Sequence, residues 1–200
     1  MADDALECSV EPRTEMLDED QTLVCAARQD TEAAGRLYDK YYGKVFGYIY
    51  HCTLDRTVTE DLTSNVFLAA FRHLGRYRWQ QIPFRAWLYR IAMNEVRMHC
   101  RKHKRTRSVS LGPEHEAIAG PAPSSGEAPA AAEEYHLVHK AMLQLRQKYR
   151  TAIILRYFED RTIAEIASIT GRKEGTIKSQ LHRGLAQLQE ILVRWGILPD

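Results

Sequence analysis

The chain has 200 residues, of which 44% are hydrophobic and 27% charged, with a formal net charge of +2. That is enough apolar material for one or two packed cores, and it excludes a wholly disordered polymer. No apolar run reaches the ~18–20 residues of a membrane span. The first twenty residues lack the apolar centre of a signal peptide, and the four cysteines are scattered with no C-x-x-C pair. A cytoplasmic chain with reduced thiols is expected.

The charge is unevenly placed. Residues 1–20 hold eight acidic side chains against Arg13 alone, so the remainder is distinctly basic. This acidic arm reads as solvated and disordered, and the basic body suits a polyanionic partner. A first helix is predicted from about Thr31 to His51, because Leu37, Tyr41, Val45, Tyr48, Ile49 and Cys52 recur at helical spacing. The second opens on a Thr57–Glu60 capping box and runs to Gly75. Leu62, Val66, Ala69 and Ala70 form one face of it, and Phe67, Phe71 and Leu74 widen the apolar surface until it covers much of the circumference. Such a helix is either central or meets a partner.

The connector from Gly75 to Pro83 alternates basic and aromatic residues: Arg76, Tyr77, Arg78, Trp79, then Gln80. Two readings stand. Rings for base stacking, guanidinium groups for phosphates and glutamine for base edges suit single-stranded nucleic acid; alternatively, Tyr77 and Trp79 fold back onto the core. A third helix, from about Phe84 to Lys102, carries Trp87, Leu88, Ile91 and Glu95 on successive turns, with Trp87 expected in the core. It continues into the run Arg97–Arg107, which holds six Lys or Arg and no acid. Beside the aromatic loop this run reads as a surface that tracks phosphates. Cys100 with His99 and His103 is the one grouping with metal-ligand chemistry. It sits among like charges that oppose a cation, and no metal site is expected.

Residues 108–132 contain Pro113, Pro121, Pro123 and Pro129 among Gly, Ser and Ala, and read as a flexible linker. The chain therefore divides into an arm (1–20), a helical lobe (21–107), a linker (108–132) and a second helical lobe (133–200). The second lobe begins with a helix lined by Leu137, Met142 and Leu145 and another lined by Ile153, Ile154 and Tyr157. Thr162 with Glu165 then forms a capping box, Ile163, Ile166 and Ala167 make a stripe, and Gly171 supplies a tight turn. A last helix places Ile177, Leu181, Leu185, Leu188 and Leu192 along one face. This is helix-turn-helix spacing. It leaves Arg172, Lys173, Glu174, Thr176, Lys178, Ser179 and Arg183 exposed, where they can reach base edges and phosphates of a major groove. No strand alternation occurs, so the fold class is all-α. No phosphate loop or catalytic triad is found, and with no metal site expected at the His99–His103 grouping this leaves no enzyme or cofactor expected.

Two nucleic-acid surfaces in this order resemble the extracytoplasmic-function sigma factors of bacterial RNA polymerase, in the sigma-70 family. LYDKYYGKVFGYIY, EDLTSNVFLAAFRHLGRY and PFRAWLYRIAMNEV resemble their second region, and the segment from Leu145 to Leu188 resembles their fourth. The resemblance implies that the protein binds core polymerase through Asp61, Leu62, Asn65, Val66 and Phe67 on the clamp coiled coil, with a flap contact as well. It implies −10 recognition by the Arg76–Pro83 loop with Arg90, Asn94 and Arg97, and −35 recognition by Arg172–Arg183. An anti-sigma protein would be a further partner. The family usually has Gln-Glu where this chain has Ser64-Asn65, and often Ser where Lys173 stands. A one-component helix-turn-helix regulator that binds duplex DNA without polymerase is the competing reading.

Overall fold

The computed structural model of the protein describes residues 20–78, 82–107 and 129–199. Among these residues every regular element is helical. The expectations for residues 1–19 and 108–128, and for Trp79 and Gln80, lie outside them. Asp20 does not share the solvated character predicted for the arm. It is buried, accepts a hydrogen bond from the Tyr41 hydroxyl and lies 2.8 Å from Lys40 Nζ. Residues 20–26 are helical and seat Val24 in the core.

Helix α1 (Thr31–Thr53) starts at Asp30, whose carboxylate accepts from the amides of Glu32 and Ala33. Its buried face is the predicted one: Leu37, Tyr41, Val45, Tyr48, Ile49 and Cys52. Each large side chain fully removed from water there stabilises by roughly 1.5–3 kcal/mol. Helix α2 (Arg56–His73) does not begin with the Thr57 box. Asp55 is its N-cap, accepting from the Val58 amide, while Glu60 pairs with Arg56 one turn earlier. A carboxylate two residues upstream satisfies the free amides equally well, and Glu60 is thereby released to form an i, i+4 pair. A 3-10 turn (Leu74–Arg76) closes α2, and α3 (Phe84–Arg107) runs several residues beyond the expected end.

Helix α4 (Pro129–Gln144) takes in the last residues of the predicted linker. Proline suits a first helical position because its missing N–H is not needed there. Helix α5 (Gln147–Ile153) passes into a π-helical turn, Ile154–Phe158, ending near Asp160 at φ +50°. The extra residue per turn buries Ile154 and Leu155 but turns Tyr157 outward, to 55% exposure, against the expectation that it lines the core. The helix-turn-helix is α6 (Ile163–Thr170) and α7 (Glu174–Arg194), with both halves of the Thr162–Glu165 capping box formed. Gly171 takes φ +66°, the left-handed conformation that glycine adopts without steric cost. Leu185 departs from its predicted place on the apolar face and is 39% exposed. Gly184 meets α5 instead, close enough that a Cβ there would lie 3.1 Å from Tyr149 Cβ and Ile153 Cδ1.

Rather than standing apart, the two lobes pack against each other. Helices α1 and α3 of the first face α4, the π turn and α6 of the second, and buried side chains of both belong to one continuous core.

Candidate nucleic-acid and polymerase interface

Polar clasps cross the junction between lobes. Arg90 on α3 donates through Nη2 to the Ser168 carbonyl (2.6 Å) and through Nε to the Ile169 carbonyl (3.2 Å). These carbonyls end α6, where the helix leaves acceptors unpaired and carries partial negative charge. One turn nearer the start of α3, Arg85 binds Glu165, the same carboxylate that caps α6. Tyr89 donates to Glu159, whose burial raises its carboxyl above the ordinary range. At the far side, His51 Nδ1 lies 2.8 Å from His139 Nε2, with the Phe158 ring 4.5 Å from that of His51. Burial lowers both imidazoles, His51 to about 4.

The recognition-helix residues Arg172, Lys173, Glu174, Thr176, Lys178, Ser179 and Arg183 are all exposed. The turn at Gly171 and the burial of Ile177 beneath α7 orient them outward together. Lys173 occupies the N-cap and makes no side-chain capping bond.

The loop after α2 divides. Arg76 and Arg78 are exposed, whereas Tyr77 is 4% exposed and donates to the Ile82 carbonyl. Its ring packs on Phe84 and Trp87, and Arg28 donates to its carbonyl. Tyr77 is thus a strut beneath the loop, the second of the two sequence readings for this residue. On α3, Asn94 and Arg97 face solvent, while Arg90 is held by α6.

The residues expected to meet polymerase also separate. Asp61 and Asn65 are exposed on α2, but Leu62, Val66 and Phe67 form core, so these three cannot supply its outer surface. Leu68, unremarked in the sequence, is 59% exposed beside Asn65. The clasp residues His51, Arg85, Tyr89, His139 and Glu159 were likewise invisible, because their partners lie roughly eighty residues away in the chain and follow no period.

A helix-turn-helix with an exposed basic reading face, joined to a second helical lobe with its own basic helix, defines a transcription protein that meets DNA through two lobes. Comparison with known sequences makes the class specific. Residues 37–106 match the family model for sigma-70 region 2 and residues 135–188 that for sigma-70 region 4. The chain is 31% identical over 183 residues to the RNA polymerase sigma-H factor of Pseudomonas aeruginosa, covering 88% of this chain and 94% of that one. It is 32% identical over 166 residues to the ECF RNA polymerase sigma factor BldN of Streptomyces coelicolor, covering 82% of this chain but only 61% of that protein. Among solved structures, the sigma factor RpoE of Bartonella quintana, crystallised with the anti-sigma factor NepR, matches with a TM-score of 0.66 at 25% identity, over 79% of this chain and 95% of that one. The chain belongs to the sigma-70 family.

Proposed function

We propose that this chain is the promoter-specificity subunit of a bacterial RNA polymerase, held in check by an anti-sigma protein, and that it does no chemistry itself. Phosphoryl transfer would remain with the polymerase, and the protein would act in the cytoplasm. The observation that carries the reading is the pairing of regions 2 and 4 in one chain, with the reading residues of region 4 all at solvent. In this scheme Arg172–Arg183 engage the −35 element in the major groove. Arg76, Arg78, Trp79 and Gln80 capture unstacked bases of the −10 element, and Asn94 and Arg97 lie along its duplex edge. Base–aromatic stacking supplies about 1–3 kcal/mol per captured base, against a cost of the same order for unstacking it. Asp61 and Asn65, with Leu68 between α2 turns, form the surface for the polymerase clamp. Arg90 joins the −10 surface only when α6 releases it, so promoter engagement requires the lobes to part.

The test is run-off transcription with core polymerase stripped of its own sigma factor, on fragmented genomic DNA of the source organism. Discrete transcripts that depend on the chain are expected. Tight duplex binding by the chain alone, with no transcripts, would overturn the reading in favour of a one-component regulator. Trp79→Ala should impair promoter opening, read by permanganate footprinting, at least ten-fold more than duplex binding. Equal loss in both would remove the single-strand role of the loop.

A further inference from the structure

Where the lobes meet, they form an open cleft of about 410 Å³. Arg97 and Arg101, one turn apart on α3, line one wall. Lys148 on α5 and Arg172 after the Gly171 turn line the other. Among the described residues no carboxylate borders the cleft and none of these four cations is in an ion pair. Thr151 and Gln180, both buried, add polar groups at its base. Four like charges drawn together from two lobes repel one another, and no described residue of the lining carries a counter-charge.

From this geometry we infer that the cleft is a binding site for a short polyphosphate chain, which bridges the lobes and holds them closed. A duplex, whose major groove alone is about 12 Å across, is too bulky for a space of about 410 Å³. The volume is that of a small-molecule site. Arginine forks match phosphate oxygens two at a time, and cations distributed on facing walls suit several linked phosphates better than one carboxylate. Among the described residues the lining contains no aromatic ring on which a nucleobase could stack. The phosphates themselves carry recognition, whether inorganic or borne by a nucleotide. A ligand that binds only where both walls are present shifts the lobes toward closure. It also covers Arg97 and Arg172, and its bearing on transcription rests on the promoter reading above. The binding does not.

The experiment is calorimetric titration of the full chain, free of DNA and polymerase, with inorganic tripolyphosphate at constant ionic strength. ATP, orthophosphate and sulfate are run in parallel. One-to-one saturable binding is expected, with ATP within about three-fold of tripolyphosphate and the single anions at least thirty-fold weaker. Lys148 is exposed, so Lys148→Glu leaves the fold intact, and it should weaken tripolyphosphate at least ten-fold. Lys140→Glu, on α4 and outside the cleft, makes the same charge change and should alter it less than two-fold. ATP binding much tighter than tripolyphosphate would mean that a base is recognised, and would overturn the assignment to phosphate alone. Equal weakening by the two lysine variants, or no saturation, would reduce the cleft to diffuse charge and sink the proposal. Because promoter DNA is absent, none of these outcomes depends on whether the chain initiates transcription.

Discussion

Two glycines of α7 make opposite demands, although both are helical. At Gly184 a methyl group would press on Tyr149 Cβ, which is fixed to the backbone of α5, as well as on Ile153. At Gly175 nothing lies within 4 Å of the added atom. Gly184→Ala is therefore expected to destabilise by about 1–3 kcal/mol through overpacking. Gly175→Ala should stabilise by up to about 1 kcal/mol, the ordinary helix preference for alanine. Urea unfolding of both variants checks the signs, and a gain in stability at Gly184 would show that the helix crossing is looser than its contacts imply. Sequence alone marked Gly171, because a turn signals its own glycine. Gly184 carries no such local mark: what forbids a side chain there is an α5 residue thirty-five positions earlier. Tyr77 was ambiguous for the same reason, since an aromatic residue in a basic loop looks alike whether it stacks on a base or on Trp87.

At the level of helices, period and caps were readable. The apolar stripe of α1, the Thr162–Glu165 box and the left-handed Gly171 are all local arrangements of a few residues. Less readable was which of two nearby acceptors caps α2, and the π turn that rotates Tyr157 out of the core, because neither alters the hydrophobic period enough to show. The burial of Leu62, Val66 and Phe67 follows from a similar limit. A broadly apolar helix announces that it is covered, not whether the cover is the chain itself or a partner. The contact between α3 and α6 carries a prediction of its own. Arg90→Ala withdraws both donors from the α6 carbonyls and should shift the population toward separated lobes, seen as a fall in energy transfer between dyes placed on α2 and α7. Arg90→Lys offers a single donor centre and should give an intermediate value. Unchanged transfer in both variants would mean that the apolar contacts alone hold the lobes together.

For the molecule as a whole, closure should depend on pH through the pair at its far side. His139 Nδ1 faces the Tyr135 carbonyl at 2.8 Å and must carry a proton to bond it. Its Nε2 is then the acceptor for His51 Nδ1–H; a second proton on His139 would set donor against donor, and one on His51 would place a charge in a buried site beside the other ring. The neighbouring His136 further disfavours the charged form of His139. Because the closed form holds both imidazoles below their ordinary value, His51 at about 4, the separated form binds more protons between about pH 6.5 and 4. The contribution of this pair to closure is therefore full above about pH 6.5 and falls away as pH drops toward 4, while Glu159, whose carboxyl is raised by burial, acts in the opposite sense. The same dye pair, followed from pH 7.5 to 4.5, should show lobes parting as acid is added. His51→Gln cannot titrate and should flatten the curve, whereas a profile unchanged by it would place the dependence in other groups. None of this was legible in the sequence, where 51 and 139 are two of eight scattered histidines and the linker gives no sign of which faces of the lobes meet.

The carboxylate of Glu165 works within its own lobe, where Arg161 also lies 3.9 Å from it, and across the junction, whereas Arg85 works across the junction. The acid closes the first turn of α6 and also anchors the reading domain to α3; the arginine only anchors. Drift can therefore treat the two ends of this ion pair unequally. A lineage that loses Arg85 keeps an intact helix-turn-helix and merely loosens the closed state. A lineage that loses Glu165 weakens the reader's fold and its docking in one step. Change at this contact should accordingly begin on the region 2 side, and the acid should be the last of the pair to go.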